Sequence, residues 1–70
     1  MAETLMNHVR ELRTQREQSQ QELAEAIGVS RQTIVAIEKG NYIPSVALAM
    51  TLARQFRTTV EKLFYWKDIP

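Results

Sequence analysis

Cysteine is absent from the 70 residues, which excludes disulfides and every thiolate metal site. The chain has a single histidine, His8, and one imidazole cannot form a metal site by itself. A chain of this length folds as one domain and buries only about 60% of the surface that its unfolded form exposes. With disulfides and metals excluded, stability has to come from helix packing, from oligomerisation or from both. We expect neither a metal nor a cofactor.

Long apolar runs are missing as well. The longest nearly apolar stretch, residues 46–53, is far too short to span a membrane. Residues 1–9 are mixed in character and acidic near the start, which is unlike a secretory signal. The lack of cysteine and of an export signal predicts a cytoplasmic protein with no membrane partner.

Neither sign of charge is in large excess. Nine Lys and Arg residues stand against eight Asp and Glu residues, which gives a formal net charge of +1. A protein that coats nucleic acid carries far more positive charge. If the partner is DNA, the positive charge must be concentrated on one face, or two copies must act together. The hydrophobic content of 44% argues against intrinsic disorder.

Glycine and proline are scarce, and those present mark the ends of helices. Gly28 and Gly40 each follow apolar residues at helical spacing, and Pro44 bars helix where it stands. Alternating strand patterns are absent, whereas helical periodicity runs along the chain. The signals predict five helices: one over residues 7–16, one bounded by Ser19 and Gly28, one bounded by Ser30 and Gly40, one starting at Ser45 and one starting at Thr58.

Two short motifs predict where helices begin. Residues 19–22 have the pattern of a capping box, in which a serine hydroxyl and a glutamate carboxylate satisfy each other's backbone N–H groups. Residues 58–61 repeat that pattern. The aromatic tail, residues 65–70, has β propensity and can pair as a short strand with residues 4–6. The predicted fold class is all-α: one compact five-helix domain over residues 1–70, to which this terminal strand pair is added.

The second and third helices are separated by only three residues, Gly28, Val29 and Ser30. A short turn with glycine at its head is typical of a helix-turn-helix, which sets two helices at about 90–120°. The motif spans residues 20–39. Ala24 is small where the two helices must approach each other.

The third helix has one apolar and one polar face. Ile34 and Ile37 hold it against the core, and the outward face consists of Arg31, Gln32, Thr33, Val35 and Ala36. Glutamine can bond N6 and N7 of adenine, and arginine can bond O6 and N7 of guanine. Because the N-terminal end of such a helix enters the major groove, Arg31 and Gln32 are the first candidates for base contacts.

Residues 12–52 as a whole resemble the Cro and phage-repressor type of helix-turn-helix, the XRE family. The resemblance rests on Arg13 and on four segments: SQQELA at 19–24, GVSRQTI at 28–34, IEKG at 37–40, and PS at 44–45 leading to Leu48 and Ala49. The chain is most similar to small stand-alone members, of the type of the cytolysin-operon repressor, which also end in an aromatic tail. The family implies a compact five-helix fold, homodimers on palindromic operators and transcriptional regulation, often repression.

The resemblance also implies roles for individual residues. The base-reading positions are Arg31, Gln32, Thr33 and Ala36, and the positions that contact DNA phosphates or sugars are Gln20, Ser30, Lys39, Asn41 and Tyr42. Arg13 and Glu38 match a pair that links the first helix to the third. Members often carry glycine or asparagine after helix four, where this chain has Arg57, so a positive φ there would strain the backbone.

The C-terminal helix and tail, residues 58–70, predict a dimer interface. Leu63, Phe64, Tyr65, Trp66 and Ile69 offer more apolar area than a 70-residue monomer needs to expose. A self-complementary patch of this kind gives an isologous contact between two copies. The alternative is that these side chains fold back onto the first helix and the protein is a monomer.

Two other classes of function are alternatives to DNA binding. An enzyme lacks support, because the chain has no glycine-rich phosphate loop, no cysteine nucleophile and no obvious paired acids. A protein-interaction module, such as an antitoxin or adaptor, fits the low net charge and the aromatic tail. In that case the helix-turn-helix is a packing corner and Arg31 and Gln32 are solvated surface residues. A salt titration on random-sequence DNA separates the two, since only a DNA binder shows a steep negative slope.

Overall fold

The computed structural model describes residues 2–69; Met1 and Pro70, the two ends of the predicted domain, lie outside them. The elements follow the order β1 Ala2–Asn7, α1 Val9–Gln15, α2 Gln20–Ile27, α3 Arg31–Lys39, α4 Val46–Gln55, α5 Val60–Leu63 and β2 Phe64–Ile69. The five predicted helices are confirmed, except that the first spans Val9–Gln15 rather than residues 7–16, because Asn7 belongs to β1. No helix within residues 2–69 is long and apolar enough to cross a membrane.

The two strands make the fold mostly helical rather than purely all-α, which corrects the predicted class. They pair antiparallel from Ala2 opposite Ile69 to Asn7 opposite Phe64. The pairing predicted for residues 4–6 is therefore present but extends over six residues of each strand. Aromatic residues favour this extended backbone, so α5 stops after four residues and Phe64 starts β2.

The core lies between the helices and consists of aliphatic side chains with one aromatic ring. Its buried cluster is made of Val9, Leu23, Ala24, Ile34, Ile37, Leu52, Ala53, Phe56 and Leu63. Within residues 2–69 the fully buried set contains no polar or charged residue. The helices are thus placed by apolar packing, and polar contacts form a layer around that core.

Serine and threonine side chains start four of the helices, mostly as predicted. The capping box of Ser19 and Glu22 is confirmed, and Ser30 and Ser45 cap α3 and α4. The hydrogen bonds from the Ser19 backbone and side chain hold the pKa of Glu22 below its ordinary value. The stability that the ionised Glu22 adds to the folded state is present at neutral pH, and it is lost as the pH falls through that lowered pKa. The box predicted at residues 58–61 is wrong, because Thr59 is the cap and accepts from the Lys62 amide.

The left-handed backbone conformation at Arg57 gives a first prediction. Its φ is 56°, in the region that Gly28 and Gly40 occupy at 77° and 79°. We expect Arg57→Gly to raise the free energy of unfolding by about 0.5–1 kcal/mol, because the relieved strain of about 1–2 kcal/mol exceeds the added entropy of the unfolded chain. Urea denaturation measures the change. The matched control, Arg54→Gly in the last turn of α4, should destabilise the protein, and an Arg57→Gly variant less stable than wild type would contradict the prediction.

Candidate nucleic-acid interface

The turn between α2 and α3 has the geometry that its sequence predicts. Gly28 adopts a left-handed conformation, and the Val29 amide donates to the Ala24 carbonyl at 3.0 Å. Ser30 then starts α3 by accepting from the Thr33 amide at 3.2 Å. Leu23 and Ala24 of α2 are fully buried, as are Ile34 and Ile37 of α3. The burial of these faces leaves the opposite side of α3 open to solvent.

The open side of α3 is flanked by two grooves of different character. The first, which we call the polar groove, has a volume of about 380 Å³ and is lined by Ser30, Gln32, Thr33, Ala36, Asn41 and Tyr42. The second, the cationic groove, has a volume of about 500 Å³ and is lined by Arg10, Arg13, Ser19, Gln20, Gln21, Arg31, Val35, Glu38 and Lys39. All nine predicted DNA-contacting residues line one groove or the other.

The Arg13–Glu38 pair lies at the floor of the cationic groove. Arg13 Nε donates to Glu38 Oε2 at 2.7 Å, and Nη2 donates to Oε1 at 3.2 Å. Only 11% of the Arg13 side chain and 5% of the Glu38 side chain are exposed. The third donor, Nη1, reaches the Gln18 carbonyl at 2.7 Å. The predicted bidentate pair is therefore present, and it ties α1 to α3 and to the start of α2.

Gln20 extends this pair toward the start of α3. Its Nε2 donates to Glu38 Oε1 at 3.1 Å, and its Oε1 accepts a longer bond from Arg31 Nη2 at 3.4 Å. The side chain predicted to bind a DNA phosphate is thus engaged within the protein. A phosphate contact by Gln20 requires an exchange of its partner, or comes from its backbone amide at the first position of α2.

Two residues near the site were not predicted from the sequence. Arg10 lines the cationic groove from α1, and its spacing of three from Arg13 is the signal that places both on one helix face. Asn7 ends β1, and its Nδ2 donates to the carbonyl of Ile37 at 3.0 Å near the end of α3. Its Oδ1 accepts from the Val9 amide, so one side chain starts α1 and holds α3. No local pattern marks such a contact across 30 residues.

The residues predicted for the dimer interface do not share one surface. Leu63 is fully buried in the core, which removes it from any interface. Phe64 and Trp66 line an apolar groove of about 300 Å³ together with Leu5, Ile43, Pro44, Val46, Ala49, Val60 and Glu61. Tyr65 lies on the other face of the sheet, with its ring stacked on His8 at 4.5 Å between centroids. Ile69 shares the face of Tyr65, because side chains alternate along a strand.

Three exposed apolar side chains outside the C-terminal tail were not among the predicted interface residues. Val46, Ile43 and Met50 are 78%, 69% and 54% exposed, beside Trp66 at 65%. They come from the α3–α4 loop and α4, whereas the prediction named only the C-terminal tail. We call the set of Ile43, Val46, Met50, Phe64 and Trp66 the apolar face.

A sequence-family model described as helix-turn-helix matches residues 9–63. The chain belongs to the helix-turn-helix family. The match covers all five helices and confirms the XRE-type resemblance. Since its relatives are described as HTH-type transcriptional regulators, this helix-turn-helix protein is a DNA-binding transcriptional regulator and not an enzyme.

Relatives from bacteria and archaea bear similar descriptions. The chain is 42% identical over 64 residues to the uncharacterized HTH-type transcriptional regulator YgzD of Bacillus subtilis (strain 168), covering 91% of this chain and 97% of YgzD. It is 50% identical over 50 residues to MJ0272 of Methanocaldococcus jannaschii, covering 71% and 76% of the two chains. The cryptic phage CTXphi transcriptional repressor RstR of Vibrio cholerae is 34% identical over 55 residues, covering 79% of this chain and 50% of RstR.

The fold is also found in a solved structure. A crystal structure of a protein from Bacteroides fragilis superposes with a TM-score of 0.78 over 89% of this chain and 100% of the other. The two sequences are 19% identical, so the likeness establishes the fold alone.

Proposed function

We propose that this helix-turn-helix protein is a cytoplasmic repressor that binds a palindromic operator as a homodimer, with α3 in the major groove. The observation that carries the proposal is the open side of α3. It presents uncharged polar side chains along the polar groove and basic side chains along the cationic groove. An edge of mixed donors, acceptors and methyl groups is what base reading requires, and flanking cations suit the phosphates on either side.

Base reading is assigned to the residues at the start and along the open side of α3. Gln32 can bond N6 and N7 of an adenine, and Arg31 can bond O6 and N7 of a guanine. Thr33 and Ala36 line the same groove as Gln32 and offer methyl groups that can contact a thymine methyl. The half-site is therefore expected to contain an A·T pair opposite Gln32.

Phosphate contacts are assigned to both ends of α3. Lys39 stands at the last position of the helix, and Asn41 and Tyr42 follow it on the loop that leads to α4. Ser30 and Gln20 stand at or next to the starts of α3 and α2, where backbone N–H groups attract anions. These contacts set the register of the protein on the duplex and are not specific to sequence.

Two copies are proposed because one recognition helix reads only a few base pairs and the chain carries a net charge of only +1. The apolar face lies largely on α4 and the sheet, which are elements other than α2 and α3. A two-fold axis through such a patch gives an isologous contact. It sets the two recognition helices about 34 Å apart, one turn of B-DNA. Repression is proposed because RstR, a relative, is a phage transcriptional repressor.

The role of Gln32 gives the prediction that tests this function. Bound DNA is first selected from a randomised pool and read for an inverted repeat. Gln32→Ala should then weaken binding to the selected site by about 1–3 kcal/mol and relax the preference at one base pair of each half-site. Lys39→Ala should weaken all sequences alike.

Gln15→Ala, an exposed glutamine at the end of α1, is the control for the loss of an amide and should change nothing. An unaltered preference of Gln32→Ala at every position of the randomised site would refute the assignment. Selected sequences without two-fold symmetry would refute the palindromic operator.

A further inference from the structure

We infer that Arg10 of α1 contacts a DNA phosphate, and that the cationic groove between α1 and α3 receives the sugar-phosphate backbone at the edge of the major groove. The inference rests on the proposed position of α3 in that groove. It extends the interface beyond the helix-turn-helix, since Arg10 lies on the preceding helix.

The charge of the groove is the first argument. Its lining contains four basic side chains and one acid, a net of three positive charges. The remaining residues of the chain carry five basic and seven acidic side chains, a net of two negative charges. The low total of +1 therefore hides a strongly asymmetric distribution, which is the condition that DNA binding by this sequence requires. A cleft of concentrated positive charge attracts a polyanion.

The basic side chains of the groove differ in whether they are paired with an acid inside the protein. Glu38, the acid in the groove, already accepts from Arg13 and Gln20. The three guanidinium nitrogens of Arg13 all donate hydrogen bonds to protein oxygens, so the role of Arg13 is structural. Within residues 2–69, Arg10, Arg31 and Lys39 form no salt bridge. Because Arg31 is assigned to base reading, Arg10 of α1 and Lys39 of α3 are the cations available for an external anion.

The position of the groove identifies the anion as DNA backbone. Arg31, Val35 and Lys39 form one wall and belong to the recognition helix itself. A helix inserted into the major groove has a phosphate backbone along each flank. The groove is open rather than enclosed and about 500 Å³ in volume, which suits a continuous strand passing through it. Arg10 forms part of the opposite wall, so a phosphate there lies between two helices.

The experiment compares Arg10→Gln with Arg54→Gln, which removes the same charge from an exposed arginine on α4. The affinity for a DNA fragment selected from a random pool is measured across a series of salt concentrations. Arg10→Gln should reduce the slope of log K against log salt by about 0.9 per protomer, with the base preference unchanged. Arg10→Lys should restore the slope, and Arg54→Gln should leave it as in wild type.

A slope of Arg10→Gln equal to those of wild type and Arg54→Gln would overturn the inference and leave the proposed function standing. Equal reductions in Arg10→Gln and Arg54→Gln would also overturn it, because the effect would then be one of overall charge. A wild-type protein without salt-dependent affinity for DNA would overturn the proposed function and this inference together.

Discussion

Glu38→Gln is expected to lower the free energy of unfolding by about 3 kcal/mol, the largest effect of any polar substitution in this chain. The Arg13 guanidinium lies almost wholly inside the protein and would be left there without an opposing charge. Breaking a shielded pair on one side costs about 3–5 kcal/mol, because the remaining ion is neither solvated nor neutralised. The Gln18 carbonyl keeps one contact to Arg13, which favours the lower end of that range.

DNA binding should weaken in the same variant. Glu38 lies one residue from the end of α3 and also holds Gln20, which in turn contacts Arg31. Loss of the carboxylate therefore loosens both ends of the recognition helix. Urea denaturation and a DNA titration measure the two effects. Glu25→Gln, an exposed glutamate on α2, is the control and should change stability by less than about 0.5 kcal/mol.

A double-mutant cycle with Arg13→Met tests whether the two residues act as a pair. The double variant should be more stable than the sum of the single changes predicts, because it leaves no unpaired shielded charge. Unaltered unfolding and unaltered DNA affinity in both single variants would show that the pair does not hold the structure in this way.

Local signals in the sequence were sufficient for the helices and for the motif that defines the family. Ser19, Ser30 and Gly28 act through backbone groups within a few residues of themselves, so their pattern alone predicts the helix ends. The positive φ at Arg57 was instead suggested by the family resemblance, since members often carry glycine or asparagine at that position. The Arg13–Glu38 pair is a distant contact, and it was predicted from the family resemblance.

Features that depend on tertiary packing could not be derived in this way. The assignment of Leu63 to a surface was wrong because a short α5 turns that residue into the core, and periodicity over four residues does not define a face. The contact of Asn7 with the Ile37 carbonyl joins a strand to a helix 30 residues later. The two grooves beside α3 likewise result from the positions of α1 and of the α3–α4 loop, which no local pattern specifies.

The sequence also does not determine which side chains of the C-terminal strand face α4. A strand propensity places Phe64, Tyr65 and Trp66 in extended backbone, but only the observed register shows which of them face α4. Phe64 and Trp66 lie beside Val46, and Tyr65 and Ile69 lie on the opposite face of the sheet. The proposed dimer interface is therefore the apolar face, and the tail residues on the other side of the sheet do not belong to it.

The double variant Val46→Glu with Trp66→Glu is expected to be monomeric and to bind a two-site operator about 10²–10⁴-fold more weakly than wild type. Both side chains are mostly exposed in the single chain, at 78% and 65%, so the fold should tolerate the change. In the dimer they would place four carboxylates in an apolar contact, where unpaired charges are strongly unfavourable. The loss of operator affinity follows because the second half-site is then no longer bound at high effective concentration.

Ile69→Glu is the control for position, since it introduces a carboxylate on the opposite face of the same sheet. It should leave both the dimer and the operator affinity intact, whereas an interface built from the tail as a whole would be disrupted by it. Sedimentation equilibrium at tens of micromolar gives the mass of each protein. A wild type that remains near 8.1 kDa, or a double variant that dimerises as tightly as wild type, would show that the apolar face does not join two copies.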